Sequence, residues 1–338
     1  MPDIHTMLSD RERSILLNLR KLGSPHCDER GVERELVLAR RHQTRILTPS
    51  DAEYPAALRE IHDPPLALYL RGRVAEADAV AVAIVGARRA SPYGVQSAER
   101  LAYDLALRGV TIVSGLARGI DGAAHQGALN ASGRTLAVLG CGLSRMYPPE
   151  HVRLAEQIAA RGALLSEYPM DTRPMPYNFP RRNRLISGLS RGVVVVEASH
   201  RSGALITADC ALEQGREVFA VPGPMTSATS HGTHRLIKEG ARLVTSVQDI
   251  LEELGLIPLE ASCPTPDGGA SVRLPDAERK IFDALDERDP RAIDEVAQQS
   301  GVGMPALASA LLQLELKQLI RQLPGRQFVR TIPQITKR

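Results

Sequence analysis

Four consecutive valines, Val193 to Val196, are the feature that most constrains this chain. A strand with one wet face alternates apolar and polar residues, so an unbroken apolar run asks for cover on both faces. The residues after the run fit that demand. Ser199 to Gly203 is a polar turn of small residues, a helical pattern runs from Ala204 to Gly215, and Glu217 to Val221 is a second apolar run ended by Pro222-Gly223-Pro224. Strand, small-residue turn, helix and strand make a βαβ unit. Its turn lies at the C-terminal strand ends, where such sheets bind ligands. Upstream stand Phe179-Pro180 and the basic cluster Arg181, Arg182 and Arg184. A basic cluster beside a phosphate-sized turn points to an anionic partner.

The same alternation extends in both directions. Apolar runs at 79–85, 110–113, 135–139, 163–167 and 242–245 are interleaved with helical patterns. Residues 73–255 are therefore expected to form a doubly wound parallel α/β sheet of the Rossmann-like class. Ser9-Asp-Arg-Glu12 reads as a capping box ahead of Ile15, Leu16 and Leu19, so residues 1–72 read as a small helical module plus an extended connection. Residues 256–274 carry several prolines and Gly268-Gly269 without apolar period, a linker composition. In 275–338 three short helical patterns precede strand, Pro324-Gly325 turn and strand, the order of a winged helix. On its third helix Leu307, Leu311 and Leu314 are expected in the core. Ala306, Ser309, Ala310, Gln313 and Glu315 are then left outside, with Lys317 the single cation. Phosphate contacts dominate nucleic-acid affinity, so this domain is not expected to hold the main site, although Arg321, Arg326 and Arg330 lie in its wing.

Charge and composition narrow the classes. Net charge over 338 residues is +3. The basic excess is one for residues 1–75, two for 76–255 and none for 256–338, so anion binding must come from local clustering. Cys27, Cys141, Cys210 and Cys263 form no C-x-x-C pair, which argues against zinc and fits a reducing compartment. No signal-peptide core or membrane-length apolar run is present, and a cytoplasmic protein without membrane contact is expected. Aromatics are 3% of the chain and Trp is absent, so each Phe or Tyr in a loop carries weight.

Gly86-Ala87-Arg88 follows the first strand. Glycine lets the backbone approach a ligand, the helix start offers free N–H groups, and the guanidinium can grip phosphate with two donors. Ser114-Gly115 and Ser202-Gly203 repeat the theme after two other strands. A dinucleotide fingerprint fails, because Gly140-Cys-Gly142-Leu-Ser-Arg145 ends on arginine, and no P-loop exists. No cofactor is expected. His231-Gly-Thr-His234 lacks a third metal ligand in sequence. Glu197, ending the valine run, reads either as a catalytic carboxylate or as a structural partner of Arg182 or Arg184. Val247, Ile250, Leu251 and Leu254 form one helical stripe, which either packs on its own sheet or joins two copies in a homodimer.

Taken together, several segments resemble the DprA family, also called Smf, of bacterial DNA-processing proteins. They are Val85-Gly-Ala-Arg88, Ser91-Pro-Tyr-Gly94, Ser114-Gly-Leu-Ala-Arg-Gly-Ile-Asp121, Ser166-Glu-Tyr-Pro169, Asn178-Phe-Pro-Arg-Arg-Asn-Arg-Leu-Ile-Ser-Gly-Leu-Ser190, Val196-Glu-Ala198, Ser202-Gly-Ala-Leu-Ile-Thr-Ala208 and Gly215 to Gly223. The flanking regions resemble that family's SAM-like helical module and winged helix. The resemblance implies a homodimer that binds single-stranded DNA, displaces single-strand-binding protein, and loads RecA in natural transformation, with no catalytic turnover. Its G-S/A-R arginine carries over to Arg88 and its F-P-x-R-N-R segment to Phe179 through Arg184. Single-strand binders pair a basic groove with aromatic platforms, so Phe179 is expected to stack on a base, the alternative being a core phenylalanine. The expected contact set is Gly86, Arg88, Ser91, Ser114, Gly115, Arg118, Phe179, Arg181, Arg182, Asn183, Arg184, Ser202, Gly203 and Thr207. The alternative is a nucleotide-binding hydrolase of the phosphoribohydrolase type, whose P-G-G-x-G-T-x-x-E signature Pro222-Gly-Pro224 does not match.

Overall fold

The valine run is buried on both faces. Val193 and Val195 join one apolar cluster and Val194 and Val196 the opposite one, each at most 1% exposed. Burial stabilises by about 1.5 kcal/mol or more per valine. The structure is a computed structural model that describes residues 8–256, 275–286, 291–303, 307, 310–311, 313–315, 319–323 and 327–330. Most of the linker expected at 256–274 lies outside the described residues. Contacts divide the chain into two compact units, 1–261 and 262–338.

The first unit opens with α1 (Asp10–Lys21), α2 (Glu29–Arg41), β1 (Arg45–Leu47), α3 (Ala56–Arg59) and β2 (Leu68–Gly72). The alternating part follows: β3 (Ala81–Val85), α4 (Pro92–Leu107), β4 (Thr111–Ser114), α5 (Ile120–Asn130), β5 (Thr135–Val138), α6 (Val152–Arg161) and β6 (Ala163–Ser166). It continues with α7 (Asn178–Gly188), β7 (Gly192–Val195), α8 (Gly203–Glu213), β8 (Glu217–Ala220), α9 (His231–Lys238), β9 (Arg242–Leu243) and α10 (Val247–Glu253). The nine strands form one sheet in the order β1-β2-β6-β5-β4-β3-β7-β8-β9. Pairing is parallel from β6 to β9, and β1 and β2 are antiparallel. Strands β3 to β6 step outward, then the chain returns along α7 and enters β7 on the other side of β3. The reversal between β3 and β7 is the switch point, where doubly wound sheets open a crevice.

The Ser9–Glu12 capping box forms as the sequence predicts. The extended connection contributes β1 and β2, which lengthen the sheet through β6. The helical module does not stand apart. Ile15, Leu16, Leu19 and Val32 share a core with Tyr69, Leu139 and Leu164. Asn18 donates to the Glu167 carbonyl at 2.9 Å, and Glu35 accepts from the Met170 amide at 2.8 Å. The α10 stripe is corrected. Val247, Ile250 and Leu251 are buried in the chain's own core against α4 residues and β7, with Leu254 packed alongside. An amphipathic stripe shows that a face is covered; here the covering surface is the chain's own sheet.

The second unit holds α11 (Asp276–Asp283), β10 (Arg291–Ala292), α12 (Ile293–Ser300), β11 (Ile320–Leu323) and β12 (Gln327–Arg330). Its sheet order is β10-β12-β11, antiparallel throughout. Leu307, Leu311 and Leu314 are buried with Ile281, Val296 and Phe328, as the stripe predicts, and Ala310 is buried too rather than facing out. No helix among the described residues is long and apolar enough to cross a membrane.

Candidate nucleic-acid interface

Two rim loops clamp each other at the C-terminal strand ends. The loop after β3 carries Arg88 and ends at Ser91, which caps α4 by accepting from the Gly94 amide at 3.1 Å. The loop after β4 turns sharply, with Leu116 at φ 57° and Gly119 at φ 73°. Ile120 donates to the Ala87 carbonyl at 3.3 Å. A Cβ at position 119 would lie 2.3 Å from that carbonyl, so only glycine allows the approach. The backbone beneath Arg88 is thus held by its neighbour.

The Arg88 guanidinium lies 4.9 Å over the Phe179 ring, within cation–π range. Phe179 is half-buried: its inner side meets Gly140, and Tyr147 packs beside it at 5.9 Å and 51°. Arg118 lies 5.8 Å over Tyr147 and pairs with Glu150. These side chains, with Gly115, Ala117 and Pro148, line a shallow depression. Phe179 is therefore neither a core residue nor a bare platform, since Arg88 covers one face. Tyr147 was not among the expected contacts. Its signal was an aromatic followed by two prolines in a chain poor in aromatics.

Arg88 and Arg181 are exposed and form no ion pair among the described residues. The other two arginines of the cluster are corrected. Arg182 is 3% exposed and donates to the carbonyls of Gly115, at 2.8 Å, and Val138. Arg184 is half-buried and pairs with Glu167 at 2.5 Å and Asp63 at 3.4 Å. Successive residues on a helix point about 100° apart, so α7 cannot present all three to one groove. Arg182 instead braces the rim from below. Its guanidinium occupies the space a Cβ on Gly115 would need, at 2.3 Å. Asp121 completes the brace by accepting from the Gly115 and Ala117 amides at 3.2 and 3.3 Å. Burial holds the Asp121 carboxyl above the usual carboxylate range, and the Arg182 charge offsets only part of that rise.

Other expected contacts are internal as well. Ser114 is buried and donates to the Ile84 carbonyl at 2.6 Å, Asn183 is buried and donates to Gly203 at 3.1 Å, and Thr207 is buried under α8. Gly115 is buried beneath Arg182. Gly86, Ser91 and Ser202 are half-buried, and Gly203 and Arg118 are exposed. Glu197 pairs with neither Arg182 nor Arg184. It accepts from the Ser91 amide at 2.9 Å, the Ser91 hydroxyl at 2.5 Å and Thr229 at 3.2 Å. Its carboxylate thus fills the switch-point crevice at the start of α4. His234 contacts the Gly223 carbonyl at 2.9 Å, and no group of three metal-ligating side chains exists among the described residues. Below the rim, buried His125 meets Thr135 at 2.7 Å, and burial brings its pKa down to about 3.

Comparison with known proteins agrees with this geometry. The profile for DNA recombination-mediator protein A matches residues 45–255, and that for the DprA winged helix domain matches 265–326. The chain is 49% identical over 287 residues to Protein Smf of Escherichia coli K12, covering 82% of this chain and 76% of that protein. The X-ray structure of DNA processing protein A from Streptococcus pneumoniae superposes with a TM-score of 0.62 at 37% identity, covering 73% of this chain and 94% of that one. DNA processing protein A from Helicobacter pylori, whose structure addresses its single-stranded DNA binding mode, gives a TM-score of 0.57 at 34% identity, over 63% and 95% of the two chains. With a Rossmann-like sheet, a winged helix and an Arg88–Phe179 rim on one chain, and relatives this similar along most of it, the chain belongs to the DNA recombination-mediator protein A (DprA/Smf) family.

Proposed function

We propose that this protein is a single-stranded DNA-binding recombination mediator and not an enzyme. Its strand site is the rim where Arg88 lies on Phe179. The observation that carries the reading is that pairing: an exposed guanidinium, without a carboxylate partner among the described residues, stacked on a half-exposed aromatic. A single strand offers phosphates to the cation and unpaired bases to the aromatic and guanidinium planes. The Helicobacter pylori relative, a single-stranded DNA binder, supports the same reading. In this role the protein acts in the cytoplasm as a homodimer. It displaces single-strand-binding protein, loads RecA on incoming strands and protects them in natural transformation.

A phosphoribohydrolase-type activity is disfavoured by Glu197. A substrate phosphate needs the α4 N-terminus, and there the Ser91 amide already serves a carboxylate that would repel it. Titrating the protein with labelled oligo-dT, beside an assay for nucleoside-monophosphate hydrolysis, tests the reading. Salt-dependent strand binding without hydrolysis is expected. Hydrolysis without strand binding would reject it.

A further inference from the structure

We infer that Tyr177 and Arg181 form a second base-stacking position, which takes a further nucleotide of the strand held at Arg88 and Phe179. The inference rests on the single-stranded DNA reading above. The chain has four Phe, seven Tyr and no Trp. Several are sequestered: Tyr54, Tyr69, Tyr168 and Phe219 are at most 3% exposed. Tyr177 is 61% exposed, more than any other aromatic among the described residues. Tyr93, the other strongly exposed ring, has its hydroxyl anchored on the Pro222 carbonyl at 2.9 Å. The Tyr177 hydroxyl has no hydrogen-bond partner among the described residues.

The exposed ring stands on a stiff support. Pro174 and Pro176 fix the backbone before it, and the Asn178 amide closes a turn on the Met175 carbonyl at 3.0 Å. Asn178 is itself buried, and its carbonyl accepts from Tyr168 at 3.1 Å. A pre-ordered ring loses little backbone freedom when a base stacks on it. Tyr177 immediately precedes α7 as its N-cap, with helical backbone angles, and Arg181 lies four residues further on, one turn along the same side. Arg181 is exposed and forms no ion pair among the described residues. An exposed aromatic with such a cation one turn along repeats the residue types of Phe179 and Arg88, here by helical spacing and not by a ring contact. Every base has a π-face, so the position is tolerant of sequence and specific for unpaired strands.

Fluorescence anisotropy with a long oligo-dT and with a short one that fills only the Arg88–Phe179 position tests this. Tyr177→Ala should lower affinity for the long strand about tenfold with an unchanged salt slope, leave the short strand unaffected and keep the melting temperature. Tyr177→Phe should bind like the unaltered protein, because the ring acts and the hydroxyl does not. Arg181→Ala should weaken the long strand and flatten its salt slope by about 0.7. Unchanged long-strand affinity in Tyr177→Ala, an equal loss for both lengths, or a lowered melting temperature would each overturn the inference while leaving the rim reading intact. An unaltered protein that binds neither strand would overturn both.

Discussion

Two arginines at the rim of the large sheet and two in the C-terminal winged helix are held differently. At the rim, Arg88 and Arg181 reach solvent without ion pairs among the described residues. In the winged helix, Arg330 donates to the Phe282 carbonyl at 2.6 Å, lies 4.6 Å over the Phe282 ring and reaches Asp283 at 3.8 Å. Arg291 is likewise engaged, with the Ala284 carbonyl at 2.7 Å and with Gln299. A winged helix commonly reads duplex DNA through its third helix. Here that helix turns Leu307, Ala310, Leu311 and Leu314 into the core, and Gln313 is exposed. Arg279 and Lys280 are exposed in the winged helix as well, so neither the fold of a domain nor an exposed cation alone locates a nucleic-acid site; the proposed rim site adds an aromatic ring under a guanidinium that has no ion pair among the described residues.

The largest effect should come from Arg88→Ala. Losing a charged phosphate contact and a stacking plane should cost about 2–4 kcal/mol of oligo-dT affinity. The salt slope should flatten by about 0.7. Arg330→Ala should instead lower the melting temperature of the winged helix and spare affinity. Anisotropy titrations at several salt concentrations check both, and a larger affinity loss for Arg330→Ala would reverse the comparison. Phe179→Ala ranks next, at about 1–3 kcal/mol with the salt slope unchanged. Because Arg88 rests on that ring, the double variant should show a coupling of about 0.5–1 kcal/mol. Strict additivity would mean that cation and ring act separately.

The smallest effect near neutrality separates the two regions by acid. All nine histidines lie in residues 1–255. Burial holds His125 down to about 3 in the folded chain, whereas an unfolded histidine takes its proton near 6.5. The unfolded state thus binds more protons as pH falls from about 6.5 toward 3, and the sheet unit loses stability through that window. The winged helix has no histidine and gains no such dependence. Proteolysis read peptide by peptide at pH 7 and pH 5 should show earlier opening of the sheet unit in acid, and a flatter response in His125→Gln. Equal acid sensitivity in His125→Gln and the unaltered protein would remove His125 from this role.

How much of this was legible in sequence differed by the range of the interaction. The valine run announced a strand covered on both faces, because the demand is local and periodic. The exposed place of Arg88 at the rim was legible because glycine, arginine and helix start are adjacent. The basic cluster was misread because its fate is long-range. Nothing near Arg182 in sequence shows that its guanidinium ends on the carbonyls of Gly115 and Val138, or that Arg184 meets Glu167 and Asp63. The α10 stripe showed a buried face and could not name its partner. Strands β1 and β10 have three and two residues, too few for any period to show.

The most direct test uses the unaltered full-length protein. Ultraviolet cross-linking to oligo-dT, followed by peptide mass spectrometry, reports which side chains touch bases. Adducts are expected on the peptides carrying Phe179 and Tyr147, and none on those from 275–338. Adducts confined to the winged helix, with the Phe179 peptide unmodified, would contradict the assignment of the strand site to the rim.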